Sequence, residues 1–138
     1  MKKVLLIFLI FLCKPALADE WHVECKIDHI TDKKLCILQK DSFWLFRNEN
    51  MYFIKIGDNN YPGTQAILKT EYLNHIYTSN QDGIFDVPDF IIYSMKRSKN
   101  IKTRFQRWPS LAYLDNTINL NGFNKKLNEM DLMYKKLK

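Results

Sequence analysis

Two cysteines set within alternating apolar and polar residues are the feature that most constrains how this chain can fold. From Trp21 the sequence follows the two-residue period of a half-buried β-strand. Its apolar positions are Trp21, Val23, Cys25 and Ile27. The run 35–38 predicts a returning strand, and a turn centred between Ile30 and Thr31 places Cys25 directly opposite Cys36. The sequence therefore predicts a β-hairpin whose two cysteines face each other.

The first eighteen residues have the three parts of a secretory signal peptide. A positively charged start precedes the apolar run Val4–Cys13, and Ala16-Leu17-Ala18 supplies small residues for cleavage. Ten apolar residues are too few for a membrane-spanning helix, which needs roughly 20. An uncleaved anchor and a lipoprotein are the alternatives, and Leu12 before Cys13 argues against lipid attachment. We expect a signal peptide over 1–18 and one β-rich domain over 19–138, located in the bacterial periplasm or secreted, with no transmembrane segment after cleavage.

Cleavage of the signal peptide would lower the net positive charge of the protein. The full chain carries a formal net charge of +6, but Lys2, Lys3 and Lys14 belong to the predicted signal peptide, so the domain carries +3. Export also separates the protein from cytosolic nucleic acid. The sequence therefore argues against nucleic acid as a partner.

Cys25 and Cys36 are the cysteines that remain after cleavage. An even pair of thiols in an oxidising compartment favours a disulfide. A metal pair and a redox pair are the alternatives. Redox motifs usually have two residues between the cysteines, and zinc needs more ligands than these neighbours offer.

The remaining pattern predicts an α+β, β-rich domain of about seven or eight mostly antiparallel strands, arranged as a sandwich or a curled sheet. The further strands are predicted over 42–46, 51–56, 64–70, 74–79, 101–108 and 117–120. A helix of roughly three turns should begin near Asp86, with Pro88 in its first turn and Phe90, Ile91, Ser94 and Met95 on its buried face. A second, C-terminal helix is predicted from the apolar stripe Phe123, Leu127, Met130, Tyr134 and Leu137.

Several short motifs resemble the invasion-associated locus B family of exported bacterial proteins. They are Trp21-His22-Val23-Glu24-Cys25, Cys36-Ile37-Leu38-Gln39, Phe90-Ile91-Ile92-Tyr93-Ser94-Met95-Lys96 and Ile118-Asn119-Leu120-Asn121-Gly122-Phe123. Together with the segments around them, they cover roughly half of the predicted domain. The chain departs from the family in lacking a second cysteine pair in its middle and in its Trp108-Pro109 element. The resemblance implies an exported protein linked by name to host-cell entry, with no defined chemistry and no catalytic residues.

The strongest candidate for a binding surface is the basic segment between the first helix and Pro109. Six cations and no acid occur in twelve residues, followed by a tryptophan. The candidate residues are Lys96, Arg97, Lys99, Lys102, Arg104, Arg107 and Trp108. Such a surface could meet anionic lipid, lipopolysaccharide phosphates or an acidic protein. The alternative is structural, since cations suit the C-terminus of a helix and the solvent face of a strand.

The histidines are weak candidates for chemistry. His22 and Asp28 are six residues apart, about 20 Å along a strand, which is too far to share an ion, and His29 and Asp32 fall in the predicted turn. His75, near Glu71 and Tyr77, has no nucleophile beside it in the sequence. We therefore expect no catalytic residue, no metal site and no cofactor.

The sequence thus favours a non-enzymatic binding or envelope-associated module whose partner is an unidentified protein or an anionic surface of the envelope or the host. A structural component of a periplasmic envelope complex is the alternative. A small hydrolase or metal-binding protein is the third.

Overall fold

The computed structural model describes residues 20–49 and 51–138, so the predicted signal peptide lies outside the described residues. Within these ranges the chain forms nine strands and two helices. The predicted α+β, strand-rich class with a C-terminal helix is confirmed, with one strand more than the seven or eight expected. The additional strand has only two residues, too short to carry an alternating pattern.

The strands form two antiparallel sheets. The elements are β1 (His22–Ile27), β2 (Lys34–Lys40), β3 (Phe43–Asn48), β4 (Met51–Ile56), β5 (Ile67–Thr70), β6 (Ile76–Thr78), β7 (Ile84–Phe85), α1 (Pro88–Met95), β8 (Asn100–Gln106), β9 (Tyr113–Asn119) and α2 (Phe123–Lys136). The first sheet has the order β1-β2-β3-β4-β7, and the second has the order β6-β5-β8-β9. A buried hydrogen bond of 3.1 Å between the hydroxyls of Ser42 and Thr103 joins the two sheets.

The N-terminal hairpin matches its prediction. In the pairing of β1 with β2, Cys25 lies opposite Cys36, and the two form a disulfide. Along β1 the side chains of Val23, Cys25 and Ile27 are partly buried and the residues between them are exposed. The two-residue period therefore predicted the register of this pair correctly.

The first helix is shorter than predicted, and its buried face differs. It has eight residues, close to two turns, with Pro88 at its start. Ile91, Ser94 and Met95 are buried as expected, but Phe90 is 69% exposed and Ile92 is buried in its place. In so short a helix the apolar residues fit two adjacent faces, and contacts with β4 and β5 decide which face is buried.

The C-terminal helix covers β1 and β2. Phe123, Leu127 and Met130 are buried, and Tyr134 and Leu137 pack against the same core, so the predicted stripe is confirmed. Phe123 contacts Trp21, with ring centroids 5.1 Å apart. This packing connects the start of the domain to its end.

A polar cluster attaches the far end of α2 to the first sheet. Asp131 forms an ion pair with Arg47 and accepts a hydrogen bond of 2.8 Å from the Tyr52 hydroxyl. Burial and the neighbouring Asp131 raise the pKa of Tyr52 to about 12. The Arg47 guanidinium also lies 4.5 Å from the ring centroid of Tyr134. Because the side chains of this cluster bind one another, the cluster has the contacts of a structural site.

Among the residues described, no helix is both long enough and apolar enough to cross a membrane.

Candidate anion-binding surface

The fold distributes the residues of the predicted basic segment over three places. Three cations lie at or just beyond the end of α1, two lie on the exposed face of β8, and the last two residues follow β8. In that order the residues are Lys96, Arg97 and Lys99; Lys102 and Arg104; and Arg107 and Trp108.

Two residues just after α1 make contacts that hold the end of the helix and the start of β8. Arg97 donates a hydrogen bond of 3.0 Å to the carbonyl oxygen of Tyr93, and its guanidinium lies 3.7 Å from the centroid of the Tyr93 ring. The backbone N–H of Lys99 donates to the carboxylate of Glu71. The contacts of the Arg97 guanidinium agree with the structural alternative, whereas the bond from Lys99 uses its backbone and does not involve its ammonium group.

The two arginines further along are paired with acids. Arg104 donates two hydrogen bonds of 2.6 Å to Asp115, and Arg107 lies 2.9 Å from the carboxylate of Asp58. Arg104 holds the pKa of Asp115 below its ordinary value. Each guanidinium charge is therefore offset by a neighbouring carboxylate, while both arginines remain about half exposed. That Arg104, Arg107 and Trp108 take part in binding stays a prediction.

A cation outside the predicted segment stands directly opposite Lys102. In the pairing of β5 with β8, Lys69 is the partner of Lys102, and Ile67 is the partner of Arg104. Lys102 is exposed and Lys69 is partly exposed, so both ammonium groups lie on the outer face of the second sheet. Like charges directly opposite each other across two strands are destabilising.

The acids nearest to this lysine pair are already occupied. Glu71 accepts hydrogen bonds from the backbone N–H groups of Lys99 and Asn100 and from the Asn100 side chain, at 3.1, 3.3 and 3.2 Å. These bonds, with that from the Asn100 side chain first, lower the pKa of Glu71. Asp115 is held by Arg104. In residues 20–49 and 51–138, neither Lys69 nor Lys102 has an ion-pair partner.

The two lysines line an open groove of about 430 Å³ on the outer face of the second sheet. Ile67 and Ile76 form its apolar side, and Ile76 is 55% exposed. Asp115 and Thr117 of β9 line the opposite side. The groove therefore combines two lysines, the Arg104–Asp115 ion pair, a hydroxyl group and an apolar wall on a surface that is open to large ligands.

The sequence pattern does not single out Lys69 as a binding residue, although it does predict that Lys69 faces solvent. The predicted strand over 64–70 has Leu68 and Thr70 on one face, which leaves Lys69 on the other. Its pairing with Lys102 could not be inferred, because β5 and β8 are separated by β6, β7 and α1.

The histidine candidates do not converge on a site. His22 is exposed on β1, and His29 lies in the turn after it. The carboxylate of Asp28 accepts hydrogen bonds from the backbone N–H groups of Ile30 and Thr31, which lower its pKa, so it closes that turn. Across the described part of the chain, no three His, Cys, Asp or Glu side chains are grouped as metal ligands would be.

His75 lies just before β6, and Tyr77 lies within it. The two rings pack on each other, with centroids 4.5 Å apart. Tyr77 is buried, and His75 is exposed. The carboxylate of Glu71 is hydrogen-bonded to backbone N–H groups at the start of β8. The contact of His75 is therefore a packing contact between rings and includes no acid.

Comparisons of the chain with models of protein families, with curated proteins and with solved structures find no match.

Proposed function

We propose that this protein is an exported, non-enzymatic binding module that holds anionic groups on the outer face of its second sheet. The observation that carries the proposal is the pair Lys69 and Lys102, two cations on opposite strands whose neighbouring acids are occupied. A surface carrying phosphate or carboxylate groups, on the bacterial envelope or on a host cell, has the charge that fits this face.

The energetics of the pair support a role in binding. A cross-strand pair of like charges lowers stability by a few tenths of a kcal/mol to about 1 kcal/mol. An anion placed between the two ammonium groups would replace this repulsion with two attractive contacts. Residues that reduce stability in the free protein are typical of functional sites.

The shape of the groove favours groups presented on a surface. It is open and lies across the strands of an exposed sheet face. Enclosed sites, in contrast, bury most of a small ligand. The proposal includes no bond-breaking step, since the residues that line the groove are lysines, an arginine, a single acid and neutral side chains.

The proposed location rests on the sequence together with the disulfide. A signal peptide over 1–18 would deliver the domain to the periplasm or the medium, where a disulfide between Cys25 and Cys36 is stable. The resemblance to the invasion-associated locus B family points to the same compartment. It also makes a host surface one of the candidate partners.

A structural component of an envelope complex is the second candidate, and the outer face of the first sheet favours it. Trp44 and Phe46 stack in parallel on that face, with ring centroids 6.2 Å apart. Phe53 pairs with Phe46 across β3 and β4 and is 37% exposed, and Met51 is 56% exposed. Phe53→Asp should reduce co-purification with envelope proteins if this face is the functional one.

The experiment for the proposed function is a titration with inositol hexakisphosphate, a soluble carrier of clustered phosphate groups. Lys69→Gln and Lys102→Gln should each weaken binding about tenfold, because hydrogen bonds to charged groups contribute roughly 1.5 kcal/mol or more. Lys125→Gln is the matched control, since Lys125 is exposed on α2 and the change in net charge is the same. Equal losses in all three variants would mean that only overall charge matters, which would overturn the proposal.

A further inference from the structure

The turn between β8 and β9 and the first residues of β9 expose four large apolar side chains. Trp108 is 48% exposed, Leu111 is 70% exposed, Tyr113 is 63% exposed and Leu114 is 40% exposed. We call residues 107–114 the hairpin tip. Patches of exposed apolar side chains mark sites of contact with proteins or membranes.

The hairpin tip is held in place by the neighbouring loop. The backbone N–H of Trp108 donates a hydrogen bond of 2.8 Å to the carbonyl oxygen of Asn59, and the N–H of Tyr61 donates one of 2.7 Å to that of Gln106. The rings of Tyr61 and Trp108 are 5.0 Å apart. Because these contacts fix the backbone, the apolar side chains are presented outward rather than folded onto the core.

The charge behind the hairpin tip that favours an anionic partner is that of the Lys69–Lys102 pair. Arg107 at the base of the tip is paired with Asp58 of the neighbouring loop. Further back on the hairpin, the Arg104 guanidinium, which is paired with Asp115, lies 5.6 Å from the ring centroid of Tyr113. Beyond it lie Lys102 on β8 and Lys69 on the adjacent strand β5. Aromatic residues favour the interface of a bilayer, and cations behind them are attracted to anionic headgroups.

We infer that the hairpin tip inserts into the interface of an anionic lipid bilayer, with Trp108 and Leu111 entering the boundary of the hydrocarbon and the Lys69–Lys102 pair contacting headgroups. This inference rests on the proposed function, because it names the surface on which the anionic groups are carried.

The geometry also constrains the orientation of the hairpin. Lys102 and Trp108 are six residues apart, about 20 Å along a strand. A hairpin standing upright in the bilayer would hold the lysines far beyond the headgroups, where salt screens their attraction within about 10 Å. The outer face of the second sheet must therefore lie obliquely over the membrane.

Sedimentation with vesicles of phosphatidylglycerol and phosphatidylcholine tests the inference. Leu111→Asp should reduce binding at least tenfold, since it places a charge at the proposed depth of insertion. Leu132→Asp, the same change at a side chain 57% exposed on α2, should bind like the wild type. Circular dichroism of each variant checks that the fold is retained.

Quenching of tryptophan fluorescence by brominated lipid gives an independent measure of insertion. Trp21 is buried in the core and Trp44 lies on the other sheet, so quenching should disappear in Trp108→Phe and persist in Trp44→Phe.

The outcomes separate the inference from the proposed function. If Leu111→Asp binds the vesicles normally while Lys102→Gln does not, the face binds anions without insertion, and only the inference is overturned. Equal binding to vesicles of pure phosphatidylcholine would also overturn the inference, because it assigns the lysines to anionic headgroups. If neither vesicles nor inositol hexakisphosphate binds, both proposals fail.

Discussion

Lys69 and Lys102 occupy directly opposed positions on β5 and β8, on the exposed side of the second sheet. Lys102 is part of the basic segment recognised in the sequence, whereas Lys69 comes from a strand with no other cation. Their acidic neighbours are engaged, Glu71 by the start of β8 and Asp115 by Arg104. A substitution that removes one of these two positive charges should therefore weaken anion binding and increase stability.

Lys102→Glu should make the protein more stable and a weaker binder. The new carboxylate would form a cross-strand ion pair with Lys69 in place of a repulsive one, which is worth up to about 1 kcal/mol. Thermal unfolding should shift upward while affinity for inositol hexakisphosphate falls. Lys125→Glu, with the same change in net charge on α2, should leave both measurements near those of the wild type. A variant that loses stability along with binding would argue for a structural role of Lys102.

Asp115→Asn should strengthen anion binding. The substitution removes the acid that lines the groove and releases the guanidinium of Arg104, which now donates both its hydrogen bonds to Asp115. Titration with inositol hexakisphosphate should show an affinity several times higher than that of the wild type. The double variant Asp115→Asn/Arg104→Gln should lose this gain. An unchanged affinity in the single variant would place the bound anion away from Arg104.

The part of the site that the sequence could predict is the part determined by local pattern. The alternation of Ile101, Thr103 and Phe105 with polar residues correctly placed Lys102 and Arg104 on the solvent side of β8. The ion pairs of Arg104 and Arg107 could not be predicted, because Asp115 and Asp58 reach them through strand register and loop packing. A local pattern predicts which side of a strand a residue faces, but long-range pairing decides what lies beside it.

Strand β9 also shows what an alternating sequence pattern can and cannot predict. Its second half falls within the strand predicted over 117–120, where Ile118 and Leu120 are buried. Its first half was not predicted, because Tyr113, Leu114 and Asp115 are all exposed and show no alternation. Those residues are ordered by pairing with β8, and they form one side of the proposed binding surface.

Stability should fall at acid pH when Glu71 is protonated. The hydrogen bonds from Asn100 and Lys99 lower the pKa of Glu71 in the folded protein, whereas the unfolded chain has an ordinary value of about 4.3. Folding therefore gains stability from this carboxylate above the unfolded pKa and loses it as the pH falls through the folded pKa. Urea unfolding from neutral to acid pH should show a smaller decline for Glu71→Gln. An identical decline in wild type and variant would contradict this assignment.

The disulfide should contribute about 3 kcal/mol to the free energy of unfolding by the chain-entropy estimate. Reducing agent should lower the urea midpoint of the wild type, and Cys25→Ala/Cys36→Ala should show a similarly low midpoint that no longer responds to reductant. The double variant should still bind inositol hexakisphosphate, because the hairpin belongs to the other sheet. A midpoint insensitive to reductant in the wild type would mean that the bond adds nothing to stability.

A map of amide chemical shifts during titration with inositol hexakisphosphate tests the central claim most directly. We expect saturable shifts centred on Lys69, Lys102 and Thr117, which lie on three of the four strands that line the groove, with little change on α2 or the first sheet. Shifts centred on the end of α1 or on the first sheet, or no saturable shifts at all, would contradict the assignment of the anion-binding surface to the Lys69–Lys102 pair.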